Sequence, residues 1–298
     1  METFVAIILV LIMIIYDSNF IEHFKKRETF VVSKPNISNI QNLLPKENPL
    51  LINTTPIWIF VPNNDLNNIT DIERLCISTV HKHMSKYNIK IINYNKIKIL
   101  LPEYLDEIDN CKTLYLLHNL IKYAILHKYG GLWLPSSSII MKPLNILNSL
   151  RRDKLITFGN NNTQLINNSG KSDIILCCNK DNLIISNMLT FIKKNINSFQ
   201  NSINFSKGIN AHFNKIVNDH NHHHTNQIQE KINNSPINNS HLFSNQLSID
   251  SIDCNIVHVN FANIINNTKY SFLINMSQND ILNSNMLIGR LLNKSMNS

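Results

Sequence analysis

The chain has 298 residues, with 28 Lys and Arg against 20 Asp and Glu and a net charge of +8. A hydrophobic share of 43% with only 16% charged residues excludes a disordered polyelectrolyte, and the length allows a substantial buried core. The cations are scattered, apart from Lys25-Lys26-Arg27, with no basic stripe interleaved with aromatics; this argues against a nucleic-acid partner, while a basic surface suits an anionic membrane or a sugar diphosphate.

The first element is the apolar run Phe4 to Tyr16. It falls short of the about 20 residues that cross a bilayer comfortably, and Phe20 and Ile21 extend it. No basic stretch precedes it and no small-residue cleavage site follows. The expectation is an N-terminal membrane-anchor helix over 1–22, with the basic cluster after it placing the rest of the protein in the cytosol. Residues 23–55 mix Pro, Asn and Ser with short apolar pieces and are expected to form a linker. Asn makes up about one residue in six, so Asn-x-Ser/Thr triplets such as Asn36-Ile37-Ser38 arise by chance and carry no argument for glycosylation.

Pro56 to Val61 is a compact apolar run closed by Pro62-Asn63-Asn64-Asp65, the pattern of a buried strand and a loop. Thr70 and Glu73 make a capping box for a helix whose apolar positions, from Ile72 through Cys76 to Met84, recur at helical spacing. Cys76 falls on the core side. The other cysteines are Cys111, Cys177, Cys178 and Cys254; an odd number without Cys-x-x-Cys spacing suits a reducing environment, not a disulfide framework or a structural zinc site. Ile89 to Tyr94 predicts a second strand. The order strand, helix, strand predicts a parallel α/β sheet.

The segment KTLYLLHNLIKYAILHKYGG predicts a helix with Leu114, Leu117, Ile121, Ala124 and Ile125 on the apolar face and His118, Asn119 and Lys122 together on another. Gly130 stands where a left-handed C-cap is expected. Leu132-Trp133-Leu134 is a short buried strand that Pro135 ends, Ile139 to Met141 is extended again, and Lys142-Pro143-Leu144 turns away. Further on, Asp173 to Cys178 predicts a strand, Asn182 to Ile196 a helix with Leu183, Ile184, Met188, Leu189 and Ile192 inward, Asn226 to Ser240 a loop, Cys254 to Val259 a strand and Ile281 to Leu292 a helix. The His-rich tract Asp219 to His224 lacks the fixed spacing of a metal site and suits an exposed loop.

Ile57-Trp58-Ile59-Phe60, Cys76-Ile77-Ser78, the segment His118 to Ser137 and Lys142-Pro143-Leu144 together resemble the capsular polysaccharide synthesis proteins and the related sugar-transferases with an Asp-x-Asp motif. The resemblance covers Pro56 to Leu144 best, extends over Asp173 to Ile196 as a strand followed by a helix, and is weak beyond. It implies a GT-A-like (Rossmann-like) fold, a mostly parallel sheet flanked by helices, in a domain spanning 56–270 with a helical tail at 271–298. It also implies a nucleotide-sugar donor, transfer to a glycan or other acceptor, and a divalent metal on the Asp-x-Asp acids.

The chain departs from that family where the chemistry lies. His118-Asn119 replaces Ser-Asp, Lys122 replaces Arg, and Pro135 and Ser137 replace the two metal-binding acids. Mg²⁺ and Mn²⁺ favour carboxylate oxygens, so no metal and no other cofactor is expected. His118, Asn119, Lys122, Ser136 and Ser137 are the candidate donor-binding residues. Fixed cations can take over a metal's role at a leaving group; Lys122, His118, Lys142, Arg151 and Arg152 are candidates. Asp173, Asp181 and Asp280 are unranked candidates for a catalytic base. Trp133 is expected in the core. The serines of 136–138 have no nucleophile-elbow motif and no partner assignable from sequence. Two functions follow: a metal-independent glycosyltransferase, or a catalytically inactive relative serving as a membrane-anchored binding or scaffold protein.

Overall fold

The computed structural model describes residues 55–62, 69–111, 113–144, 154–159, 173–199, 205–220, 224–228, 239–245, 247–249, 252, 254–259 and 271–298. The expected anchor and all but the last residue of the expected linker lie outside these, as do Arg151 and Arg152. Among the described residues no helix is long and apolar enough to cross a membrane. Every described element belongs to the unit Leu50–Ser298.

Strand β1 (Pro56–Phe60) leads into helix α1 (Asp71–Met84) and then β2 (Asn88–Ile92). Helices α2 (Tyr94–Leu100), α3 (Leu105–Asp109) and α4 (Leu114–Tyr129) follow, then β3 (Gly131–Pro135) and β4 (Ser138–Ile140). The second half adds β5 (Leu155–Gly159), β6 (Leu176–Cys178), α5 (Leu183–Phe199), α6 (Phe205–Asp219), β7 (His224–Ile228), α7 (Asn239–Leu242), β8 (Ile256–His258), α8 (Gln278–Leu282) and α9 (Leu287–Asn297).

Six strands form one sheet in the order β2-β1-β3-β6-β5-β7; β4 and β8 pair separately. β6 is antiparallel to both its neighbours, whereas the β1–β2, β1–β3 and β5–β7 pairs are parallel. Five of the six strands therefore run one way, and the expected mostly parallel α/β sheet is present. Alternation along the strands splits the core in two. Ile57, Ile59, Leu132 and Leu134 face Ile77, Val80 and Met84 of α1. Trp58, Phe60 and Trp133 face α4, α5 and α6. A third cluster lies on the other side of α1, where Ile72, Leu75 and Cys76 meet β4, β8, α8 and α9.

The capping box is formed as expected: Glu73 N donates to Thr70 Oγ1, and Glu73 Oε2 accepts from Thr70 N. The turn into β3 depends on both glycines. Gly130 (φ 65) ends α4 by donating from N to Leu126 O, and Gly131 has φ 105. A Cβ on Gly130 would meet Lys180 N at 2.5 Å, and one on Gly131 would meet Pro56 O. Trp58 Nε1 donates to Gly130 O at 2.8 Å, which binds the turn to the first strand.

Several expected elements are shifted. Tyr94 belongs to α2, not to the second strand, because Asn93 accepts from Lys96 N and starts a helix there. Only Leu176–Cys178 of the expected strand 173–178 pairs in the sheet. α5 begins after Asn182, whose Oδ1 accepts from Ile184 N and Ile185 N, and this rotation leaves Leu183 51% exposed instead of inward. The expected loop 226–240 contributes its first residues to β7 and its last to α7, while 229–238 lie outside the described residues. The expected helix 281–292 is two helices. Asn283 caps α8, Ser284 Oγ donates to Ile281 O, and Leu287 N donates to Ser244 O, so the chain turns between them.

Candidate functional site at the sheet's switch point

The chain leaves β1 to one side to build β2 and returns to the other side to build β3. The strand order therefore reverses between β1 and β3, whose last residues, Phe60 and Pro135, are register partners. In open α/β sheets, ligands bind outside the carboxyl ends of the strands at such a reversal. Because β6 is antiparallel, its start lies at this same edge, with Leu176 opposite Trp133.

Three segments converge on that edge. The first is the turn after β3. Ser136 Oγ donates to Glu73 Oε1 at 2.9 Å, so the start of α1 holds the turn. Ser137 Oγ lies 3.5 Å from His258 Nδ1, and Val259 N donates to Ser137 O at 3.0 Å, so β8 holds the turn from the other side. Ser136, Ser137 and Ser138 are all buried. Burial lowers the His258 imidazole to about 4, so the ring is neutral at neutral pH.

The second segment is α4. The His118 ring stands edge-on against Phe60, centroids 4.9 Å apart, and Phe60 packs in turn on Trp133 at 6.0 Å. Trp133 is 5% exposed, a core residue as expected. His118 Nε2 is buried and has no hydrogen-bond partner among the described residues. Burial first and the Lys122 charge second pull this ring down to about 4 as well. Asn119 is buried and donates from Nδ2 to Tyr115 O at 2.9 Å.

The third segment, which enters β6, meets α4 at a buried ion pair. Lys122 Nζ lies 2.8 Å from Asp173 Oδ2 and 2.8 Å from Asp173 O, the two side chains being 8% and 9% exposed. Tyr123 OH donates to the same Oδ2 at 3.0 Å. Burial pulls the Lys122 ammonium below its ordinary value, opposed by Asp173, and pushes the Tyr123 phenol well up. Asn119 and Lys122 are interior. The pair ties α4 to the segment entering β6.

The remaining candidates lie elsewhere. Asp181 (φ 60) is exposed past the end of β6, where its N donates to His127 O in the last turn of α4; this is the opposite edge of the sheet. Asp280 is exposed on α8 and accepts from Ser277 Oγ at 2.7 Å, a capping contact. Lys142 is exposed beyond β4. Thus His118, Asn119, Lys122, Ser136 and Ser137 surround the switch-point edge, and Asp173 joins them as the partner of Lys122.

Sequence reasoning missed Glu73, His258 and Tyr123. His258 had a signal, being the polar residue within the apolar strand Ile256 to Val259. Glu73 was recognised only as a capping residue. The donor set around the turn does not fit a divalent cation. Proline offers no ligand, Ser136 and Ser137 are neutral, and Glu73 Oε2 is already occupied by Thr70 N and Oγ1. Among the described residues no group of three or more His, Cys, Asp or Glu is placed to hold a metal. All five cysteines are free.

Fold and site define an open mixed α/β protein whose candidate ligand-binding edge is at the sheet's reversal. No family model matches the sequence, and no curated protein does. Solved structures that align in part include the PaToxG glycosyltransferase, at 12% identity and a TM-score of 0.40, covering 56% of this chain and 69% of that one. The apo form of the glycosyltransferase GlyE from Streptococcus pneumoniae TIGR4 aligns at 15% identity and a TM-score of 0.36, covering 59% of this chain. A second GlyE structure aligns at 12% identity and a TM-score of 0.34, covering 58% of this chain. The alignment spans 45% of the GlyE chain in both cases.

Proposed function

We propose that this chain is a glycosyltransferase-like protein that binds a nucleotide-sugar at the β1–β3 switch point and transfers the sugar to a glycan or other acceptor without a resident metal. One observation carries the proposal: the segments that resemble the sugar-transferases, namely the end of β1, the first turns of α4 and the turn after β3, are brought to the edge where such sheets bind ligands. The N-terminal anchor and a cytosolic domain remain part of it.

In this scheme the acceptor hydroxyl forms a bond to the anomeric carbon. The bond from that carbon to the diphosphate breaks, and its electron pair leaves with the nucleoside diphosphate. His258, whose Nδ1 lies 3.5 Å from Ser137 Oγ, is the second-half group taken here as the candidate to accept the hydroxyl proton. It replaces Asp181 and Asp280, which lie away from this edge, and Asp173, which Lys122 and Tyr123 occupy. The test is calorimetric titration with nucleoside diphosphate sugars, with and without Mn²⁺. Binding that is indifferent to Mn²⁺ is expected; no binding under either condition overturns the proposal.

A second function, a non-catalytic binding or scaffold module, is favoured by the Lys122–Asp173 pair. The cation that replaces the family's arginine is already neutralised by an internal carboxylate, which leaves less positive charge for a diphosphate. Binding of the donor with no turnover or hydrolysis would select it.

A further inference from the structure

Cations that are scattered along the sequence gather at one corner of the fold. Helix α1 carries Asp71 and Glu73 in its first turn and Lys82 and His83 in its last, and its 14 residues set these ends about 20 Å apart. Lys86 follows just beyond the C-cap Ser85. Two other elements bring cations to the same end. Lys82 Nζ donates to Met296 O and His83 Nε2 lies 3.0 Å from Ser295 O, which fixes the last turn of α9, with Lys294, beside the last turn of α1. Leu144 N donates to Met84 Sδ, and Tyr87 OH donates to Leu144 O, so the segment after β4, with Lys142, closes on it as well. Lys82, Lys86, Lys142 and Lys294 are all exposed. Residues 81–90, 141–144 and 287–298 contain no Asp or Glu, and the carboxyl group of Ser298 offsets one of the positive charges.

Cations in a last turn complement the negative end of a helix dipole, which accounts for Lys82 and Lys294. It does not account for Lys86, beyond the cap, or for Lys142, which belongs to no helix. The corner also lies at the amino edge of the sheet: Pro56, the first residue of β1, is the register partner of Asn88, two residues after Lys86. In sequence, the apolar run Phe4 to Tyr16 and Lys25-Lys26-Arg27 lead toward that strand. The candidate site is at the opposite, carboxyl edge, where Phe60 and Pro135 end β1 and β3. A partner seated on the corner leaves that edge open.

We propose that this corner is a docking face for an anionic lipid surface, its lysines lying against headgroup phosphates and carboxylates with the switch-point edge turned away from the membrane. Each lysine close to such a surface strengthens attachment about fivefold. Tyr87, the one Phe, Tyr or Trp in these segments, is buried, so the corner offers no ring for base stacking and a nucleic acid fits it less well. The face does not depend on sugar transfer at the switch point and survives the failure of that function.

The test uses the full chain and reads the rate of lysine acetylation by mass spectrometry, with vesicles of phosphatidylcholine alone or mixed with phosphatidylserine. The neutral vesicles report what the apolar N-terminal run does by itself. The anionic vesicles should slow acetylation of Lys82, Lys86, Lys142 and Lys294 several-fold further, and not that of Lys194 and Lys215, which are exposed on α5 and α6 across the sheet. The effect should vanish at about 1 M salt, where the screening length falls to about 3 Å. Lys86→Glu/Lys142→Glu should weaken the anionic-specific protection of Lys294 at least about tenfold, whereas Lys194→Glu/Lys215→Glu, with the same change in net charge, should keep it. If the first double variant does not fold, the wild-type pattern across the two vesicle types and the salt series decides the matter alone. Equal rates on neutral and anionic vesicles overturn the proposal, as does slowing that extends equally to Lys194 and Lys215. Full protection by free phosphoserine also overturns it, since the corner is then a site for a soluble anion.

Discussion

Replacing Lys122 by Met tests whether the Asp173 pair anchors the site or merely decorates it. Lys122 Nζ lies 2.8 Å from both Asp173 Oδ2 and Asp173 O, and the side chains are 8% and 9% exposed. The substitution keeps most of the aliphatic stem but leaves a buried carboxylate that still accepts from Tyr123 OH at 3.0 Å. Breaking a buried pair from one side costs about 3–5 kcal/mol. The surviving phenol contact and the retained stem place Lys122→Met near the lower end, about 3 kcal/mol. Asp173→Asn keeps the carbonyl contact and should lose about 2 kcal/mol. The double variant Lys122→Met/Asp173→Leu removes both charges, and its loss should be well below the sum of the single losses. Urea unfolding followed by circular dichroism measures this. With a slope of about 3 kcal/mol per molar, the Lys122→Met midpoint falls by roughly 1 M. A single-variant loss under about 1 kcal/mol, or losses that simply add, would refute the anchoring role.

Acid should destabilise the fold through its buried imidazoles. His118 and His258 are held at about 4 against an ordinary value of 6.5, so as pH falls from 6.5 toward 4 the unfolded chain takes up protons before the folded one. Stability therefore decreases over that window, by on the order of 2–3 kcal/mol for each ring, and His118→Phe should flatten the slope in urea titrations between pH 4 and 7. Gly130→Ala should lose more than about 2 kcal/mol, because φ is 65 and the new Cβ meets Lys180 N; a thermal shift of less than a few degrees would contradict this. Thr70→Ala should lose about 1 kcal/mol and leave the turn after β3 undisturbed. Glu73→Ala removes the acceptor of Ser136 as well, so hydrogen exchange over 135–138 should rise in that variant and not in Thr70→Ala.

Much of the fold was legible because its signals are short-range. Thr70 and Glu73 are three residues apart, the alternation of Ile57, Trp58, Ile59 and Phe60 is local, and Gly130-Gly131 marks its own turn. Boundaries slipped where a single cap decided them, as at Asn93 before α2 and Asn182 before α5. The candidate site was legible only as residue types near one edge. His118 reads as a surface polar group until Phe60 is seen against it, because 58 positions of chain separate them and no periodicity links them.

By itself the order of residues determined the alternating strands, the capped helices, the glycine turn and the absence of acids at 135 and 137. Those properties depend on neighbours along the chain, on backbone dihedrals and on side-chain chemistry at one position. Folding in three dimensions decided what each polar group meets: Lys122 with Asp173 across 51 residues, Ser136 with Glu73 across 63, Ser137 with His258 across 121. Burial makes such choices, since a charge or hydroxyl removed from water must take whichever partner the packed elements bring within reach, and sequence distance does not enter that balance.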